Sequence, residues 1–122
     1  MNETEYARMY LEQGNAMDRL GLENKVNESD VRLVVLIGVQ SRPVNYDELK
    51  ASLTWASSTI SITGTRLLRG GYVEKKLGLK NQRKSDFTLT KKGRELYSAT
   101  LAVLKKVNTQ TESKQEPLTY DI

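Results

Sequence analysis

Residues 46–76 read YDELKASLTWASSTISITGTRLLRGGYVEKK, and a change of period inside this stretch decides the fold. A short helix is expected from Tyr46 to Leu53, with Asn45 as its N-cap and Glu48 three residues on, as in a capping box. Leu49 and Leu53 are its inward residues. The connector Thr54-Trp55-Ala56 follows, then Ser57-Ser58-Thr59, a run of residues that suit helix caps. A second helix is expected from Ser58 to Arg69, with Ile60, Gly64 and Leu67 inward and Leu68 adjoining. Gly64 costs that helix up to about 1 kcal/mol relative to alanine, and close packing against the preceding helix is the expected reason. The Gly70-Gly71 pair ends it. From Tyr72 to Lys76 the pattern alternates with the period of a strand.

Working outward, Asp86-Phe87-Thr88-Leu89 alternates again, and the polar, basic residues 77–85 between the two strands make them a long-looped hairpin. Thr90 caps a final helix with the stripe Leu96, Tyr97, Thr100, Val103, Leu104 and Val107. The tail from Asn108 is polar, acidic and contains Pro117, so it is expected to be mobile. Upstream, residues 29–40 carry Val31, Leu33, Val34, Val35, Leu36, Ile37 and Val39 on nearly all sides, with Ser29 as cap and Pro43 beyond the end. This is the pattern of a buried central helix. A buried strand competes, because the run is β-branched, but its length favours the helix. Residues 4–20 form an amphipathic helix with the stripe Tyr6, Met9, Tyr10, Gln13, Met17 and Leu20, Thr4 as cap and Gly21 just past the end. The expected fold is α+β and mostly helical. It is a winged helix-turn-helix with a two-stranded β wing and flanking N- and C-terminal dimerisation helices at 4–20 and 90–107, one domain over 1–107 with a tail at 108–122.

The 122-residue chain contains 38% apolar and 28% charged residues, a balance that supports one folded domain. Cysteine and histidine are both absent. Disulfides and thiolate or imidazole metal ligands are therefore excluded, as are the Ser/His and Cys/His nucleophiles. No phosphate-cradling glycine loop is present, so no enzyme and no cofactor is expected. The acidic start MNETEYARMY lacks the features of a secretory signal, and no apolar run could span a bilayer. The expectation is a cytoplasmic, DNA-associated protein without a membrane. The net charge is +4 but unevenly spread: residues 1–30 carry −4, 31–70 carry +3, 71–107 carry +7 and 108–122 carry −2. A basic half between acidic ends suits a polyanionic partner, although lysines that only solvate a helix and a loop would give the same balance.

The motifs decide between these readings. The segments SSTIS, LLRGGYVEKK and, after NQRKSDFT, LTKKG occur in one order and spacing. In this they resemble the DNA-binding core of the MarR family of winged-helix transcriptional regulators, across residues 29–107. The resemblance implies a recognition helix in the major groove, a wing at the minor groove, and a twofold dimer built by the outer helices.

The residues support this independently. A helix that enters the major groove must be slim outside and able to hydrogen-bond there. Ser57, Ser58, Thr59, Ser61, Ile62, Thr65 and Arg66 are the candidates, with Arg66 suited to a guanine and Ile62 to a thymine methyl. Ser57 and Ser58 compete as plain helix caps, and Ile62 as part of a wider apolar face. On the wing, Lys75, Lys76, Lys80, Gln82, Arg83 and Lys84 are the candidates for contact with phosphates or the minor groove. The resemblance implies an aspartate that braces the wing arginine. Asn81 stands there instead, beside Arg83, and removes the charge assistance. Asn45, Tyr46 and Lys50 are candidates for phosphate contact, and Trp55 is read as a packing residue. Lys91, Lys92 and Arg94 are read as solvated.

Tyr6, Met9, Tyr10, Gln13, Met17, Leu20, Val103, Leu104 and Val107 are the candidate dimer interface, with intrachain packing as the competing use. The resemblance also implies a pocket for a small-molecule effector, between the dimer helices and the DNA-binding lobe, with Tyr6, Tyr10, Met17 and Tyr97 as candidate lining and core or dimer contact as their favoured competing use. Two functions stay open: a sequence-specific, dimeric DNA-binding regulator, as repressor, or a winged-helix protein-interaction module without specific DNA binding. Fold alone does not choose between them.

Overall fold

A computed structural model of the chain describes residues 2–77 and 85–113. The elements run α1 (Glu3–Asn24), α2 (Glu28–Gln40), β1 (Val44–Asn45), α3 (Tyr46–Ser52), α4 (Ser57–Arg69), β2 (Val73–Leu77), β3 (Ser85–Leu89) and α5 (Lys91–Ser113). They form two units: Glu28–Ser98, and the flanking segments on either side of it.

The central unit is the expected winged helix-turn-helix. Leu33, Val34, Ile37, Leu49, Ile60, Leu67, Val73, Phe87 and Leu96 are buried in it. Residues 28–40 are helical throughout, so the strand alternative for this run is excluded. The expected cap Ser29 lies inside α2, which begins at Glu28. β2 and β3 pair antiparallel with Val73 opposite Leu89 and Lys75 opposite Phe87. The sheet also has a strand that the two-stranded wing lacked. β1 pairs with β3, Val44 opposite Phe87, which gives the order β1-β3-β2. A two-residue strand has no period of its own to read, since its pairing is entirely long-range.

Asn45 caps α3 as expected and accepts from the Glu48 backbone N–H at 2.9 Å. The capping box is not closed, because the Glu48 carboxylate turns to Arg42 instead. Gly64 is buried in α4, but a Cβ there would meet only the Phe87 ring of β3, at 3.8 Å. That is ordinary contact with the sheet, in place of the expected tight approach to the preceding helix. At α2, a Cβ on Gly38 would come within 2.5 Å of the Tyr97 ring, so the closest approach to a neighbouring aromatic is here.

In the flanking unit α1 is capped by Asn2, which closes a capping box with Glu5. Thr4, the expected cap, lies inside the helix. The helix also passes Gly21 and ends with Lys25 in the left-handed region, at φ 57°. The Val26 N–H folds back onto the Gly21 carbonyl at 3.0 Å. α5 continues to Ser113, beyond the expected end at Val107; residues 114–122 of the expected tail lie outside the described residues. Among the described residues, no helix is long and apolar enough to cross a membrane.

Candidate nucleic-acid interface

The helix-turn-helix consists of α3, a four-residue turn and α4. Its geometry is fixed from three sides. The Tyr46 hydroxyl donates to the Ser57 carbonyl at 3.0 Å, which ties the start of α3 to the start of α4. Trp55, half-buried in the turn, lies under the Arg32 guanidinium of α2, 5.1 Å from the ring centre. This fits the packing role expected of Trp55 and adds a cation–π contact. Arg66 of α4 reaches back to α2: its Nε donates to Asp30 Oδ1 at 2.7 Å and its Nη2 to Ser29 Oγ at 3.1 Å.

The Asp30 side chain is 4% exposed and that of Arg66 42%. A buried carboxylate needs such a partner, because an unpaired charge out of water is strongly disfavoured. Arg66, read from sequence as a guanine contact, is therefore also a strut between two helices. That pairing joins residues 36 apart in sequence, and no periodicity reports it.

The outward face of α4 carries Ser57, Ser58, Thr59, Ser61, Ile62, Thr65, Leu68 and Arg69, all exposed. Ile62 is 61% exposed, so it is not part of a wider buried face. Thr63, unremarked in the sequence, is buried beside Ile60, Gly64 and Leu67. The N-cap of α4 is Ala56, in extended backbone and without a side-chain cap bond. Ser57 and Ser58 are thus the first helical residues and do not serve as caps, although their residue type suits that role. Their backbone N–H groups lie in the turn that α-helices leave unsatisfied.

The exit of α4 is closed by a Schellman motif: Gly71 adopts φ 80°, its N–H bonds Leu68 O at 3.2 Å, and Tyr72 N–H bonds Leu67 O at 2.9 Å. The start of α5 then clamps this exit. Lys92 Nζ donates to Gly70 O at 2.8 Å and lies 4.3 Å from the Tyr72 ring centre. The Thr90 hydroxyl donates to Gly71 O at 2.6 Å. It also accepts from the Gly93 N–H at 3.1 Å, which bears out Thr90 as the cap. Arg94 donates to Leu89 O at 3.0 Å. Lys92 and Arg94, read as solvated, are fasteners of the wing base.

On the wing, Lys75 is exposed with its Nζ 5.8 Å from the Phe87 ring centre. Lys80, Asn81, Gln82, Arg83 and Lys84 lie outside the described residues. Asn45 is occupied as a cap and Tyr46 as the α3–α4 tie, while Lys50 is exposed on α3. Beside them, Arg42 holds the Glu48 carboxyl below its ordinary range through their hydrogen bond.

In the flanking unit the expected dimer stripe is divided. Leu20 and Val107 are buried in a single copy, and Met9, Met17, Val103 and Leu104 are intermediate. Tyr6 and Gln13 are exposed, as is Tyr10 at 77%, together with two residues outside the expected stripe, Leu11 and Leu22, the latter at 81%.

A family model described as a winged helix DNA-binding domain matches residues 31–107, more than half of the chain. The chain belongs to this family. Among solved structures, the winged-helix chain is similar to S. aureus MepR in a complex with DNA, with a TM-score of 0.76 at 16% identity, over 93% of this chain and 92% of that one. It is similar to the reduced form of MarR from E. coli, with a TM-score of 0.77 at 12% identity, over 94% and 85%. It is also similar to YusO from Bacillus subtilis, at 0.72 and 16%, over 93% and 79%. At these identities the likeness is one of fold, and it is the MarR-type winged helix that the motifs resembled. No curated protein matches the chain.

Proposed function

We propose that this winged-helix protein is a transcriptional regulator that binds double-stranded DNA as a homodimer and acts as a repressor. The observation that carries the reading is the state of α4. Its outward face is slim, hydroxyl-rich and exposed from Ser57 to Thr65, and its first turn has no side-chain cap. Such a face fits a major groove, where small hydroxyl side chains let the backbone approach. The uncapped N–H groups of the first turn suit a phosphate.

Ser57, Ser58, Thr59, Ser61, Ile62 and Thr65 are the proposed groove contacts, flanked by Arg66. Asn45 and Tyr46 place backbone near the phosphates. Lys75, with Lys80, Gln82, Arg83 and Lys84, is the proposed wing contact to phosphate or minor groove. The fold of MepR, seen in a complex with DNA, supports the same reading.

The dimer is supported by Tyr6, Tyr10, Leu11 and Leu22, large apolar side chains exposed on one copy. Met9, Gln13, Met17, Val103 and Leu104 complete the proposed interface, with Leu20 and Val107 as the packing beneath it. Two recognition helices about 34–36 Å apart would read a palindrome.

A small-molecule effector is supported by a cavity of about 370 Å³ inside the central unit. Ile37, Pro43, Leu89 and Tyr97 are among its lining, together with Arg42 and Arg94. Tyr97 is the one residue shared with the expected lining, and the cavity lies within the central unit instead of between the dimer helices and the DNA-binding lobe.

Selection of duplexes from a random-sequence pool at stated salt tests the DNA binding and, through the symmetry of the motif, the dimer. Enrichment of a palindromic motif is expected. Failure to retain any duplex at low salt contradicts it and leaves the interaction-module reading.

A further inference from the structure

The arginine singled out by sequence and the arginine best placed on α4 are different residues. Nine residues, about two and a half turns, separate Ile60 from Arg69, which puts them on opposite sides of the helix. Ile60 is 1% exposed and anchors the buried face; Arg69 therefore lies at the centre of the outward one. The same spacing sets Ser58 opposite buried Leu67. Ser58, Ile62, Thr65 and Arg69 follow one another at steps of three or four along a single ridge. Ser61, Ile62, Thr65, Arg66 and Arg69 line one shallow concavity on this face.

Arg66 sits at the flank of the ridge, next to buried Leu67, and two of its donors are committed to Asp30 and Ser29. Arg69 is exposed, and no hydrogen bond or ion pair holds its guanidinium among the described residues. It has the planar fork of donors that matches the O6 and N7 acceptors of guanine.

We infer that Arg69 is a specificity-determining residue that contacts a guanine edge in the major groove, while Arg66 positions α4 against α2. The inference rests on the DNA-binding reading above and assigns its base contact. A residue on the centre line of a groove-lying helix faces the groove floor, whereas one on the flank faces the sugar-phosphate walls. Arg69 is a surface side chain in the last turn, so its removal leaves the fold intact.

The test measures binding of the full chain and of the R69A and R69K variants to two duplexes across a salt series. One duplex is isolated by the parent chain from a random-sequence pool, and the other is a shuffled sequence of the same length and composition. R69A is expected to lose roughly ten- to a hundredfold on the isolated duplex and little on the shuffled one, with unchanged thermal unfolding. R69K is expected not to restore the loss, because it keeps the charge without the fork. Equal loss on both duplexes, with the salt slope reduced by about one and rescue by R69K, is the signature of a phosphate contact and overturns the assignment. Unchanged binding by R69A overturns it too. A parent chain that retains no duplex from the pool is a different failure, which removes the DNA-binding reading and Arg69 with it.

Discussion

The two ends of α4 are built in opposite ways. The exit is tied down: the Gly70, Gly71 and Tyr72 N–H groups all bond back into the helix, and Lys92 and Thr90 close the carbonyls of Gly70 and Gly71. The first turn has no side-chain cap at Ala56, and a single side-chain tie, from Tyr46, reaches the Ser57 carbonyl. A helix whose only task was structural would gain from a cap at the first turn, where Ser, Asp or Asn contributes about 1 kcal/mol over alanine. The difference lies in the backbone groups of the two ends and not in their side chains. One end fixes the angle of the helix to the wing, and the other keeps its donors for a partner.

The largest effect is expected from breaking the exit. A Cβ on Gly93 would stand 2.0 Å from the Tyr72 carbonyl oxygen, a backbone atom that cannot yield without moving the sheet. Gly93→Ala should destabilise the chain by about 3 kcal/mol or more, seen as a large drop in denaturation midpoint. An unchanged midpoint would show that α5 does not clamp the exit.

The next effect comes from completing the other end. Ala56→Asp supplies the missing cap and should stabilise by about 1 kcal/mol. It should also weaken duplex binding, since the new carboxylate takes up the N–H groups and repels phosphate. A variant that is more stable and binds DNA equally well would refute the role given to the first turn.

Between the ends lies Gly64, where a Cβ meets only Phe87 at 3.8 Å. Gly64→Ala should stabilise by up to about 1 kcal/mol through helix propensity, the reverse of Gly93→Ala, and thermal melts of both variants check the contrast.

The smallest effect concerns α3. Arg42 lowers the Glu48 pKa, from an ordinary value of 4.5, through a surface hydrogen bond. A carboxyl lowered on folding stabilises above its unfolded pKa, and that contribution is lost as pH falls through the folded value. Glu48→Gln should therefore flatten the acid limb of the stability curve below pH 4.5 slightly and leave neutral DNA binding unchanged. Equal acid limbs in both proteins would remove the pair as a contributor.

What sequence showed of this contrast follows from range. The period change at Gly70-Gly71, the inward Ile60 and Leu67, and the Asn45 and Thr90 caps are local, and each stands where the pattern placed it. Long-range pairings were not legible: β1 against β3, Arg66 to Asp30, and Lys92 to Gly70 join segments that no periodicity connects. Residue type also misled at Ser57 and Ser58, which suit a cap position that Ala56 in fact holds. In α1 the stripe drawn through Tyr6, Met9, Tyr10, Gln13, Met17 and Leu20 is split: Leu20 is buried, Met9 and Met17 are half-buried, and Tyr6, Tyr10 and Gln13 are exposed. Apolar spacing finds a stripe without saying what covers it, and those two tyrosines are exposed in one copy. Arg69 carries no sequence signal beyond ending the helix, although it centres the outward ridge in space.

The central claim is that the exposed face of α4 with the wing binds duplex DNA, and a salt titration of duplex affinity tests it most directly. Fluorescence anisotropy of a labelled duplex isolated by the chain from a random-sequence pool is measured as salt rises from low to moderate. The account predicts tight binding at low salt, with log K falling linearly against log salt by about 0.9 per phosphate neutralised. A pool from which the chain retains no duplex at the lowest salt, or affinity indifferent to salt, would contradict it.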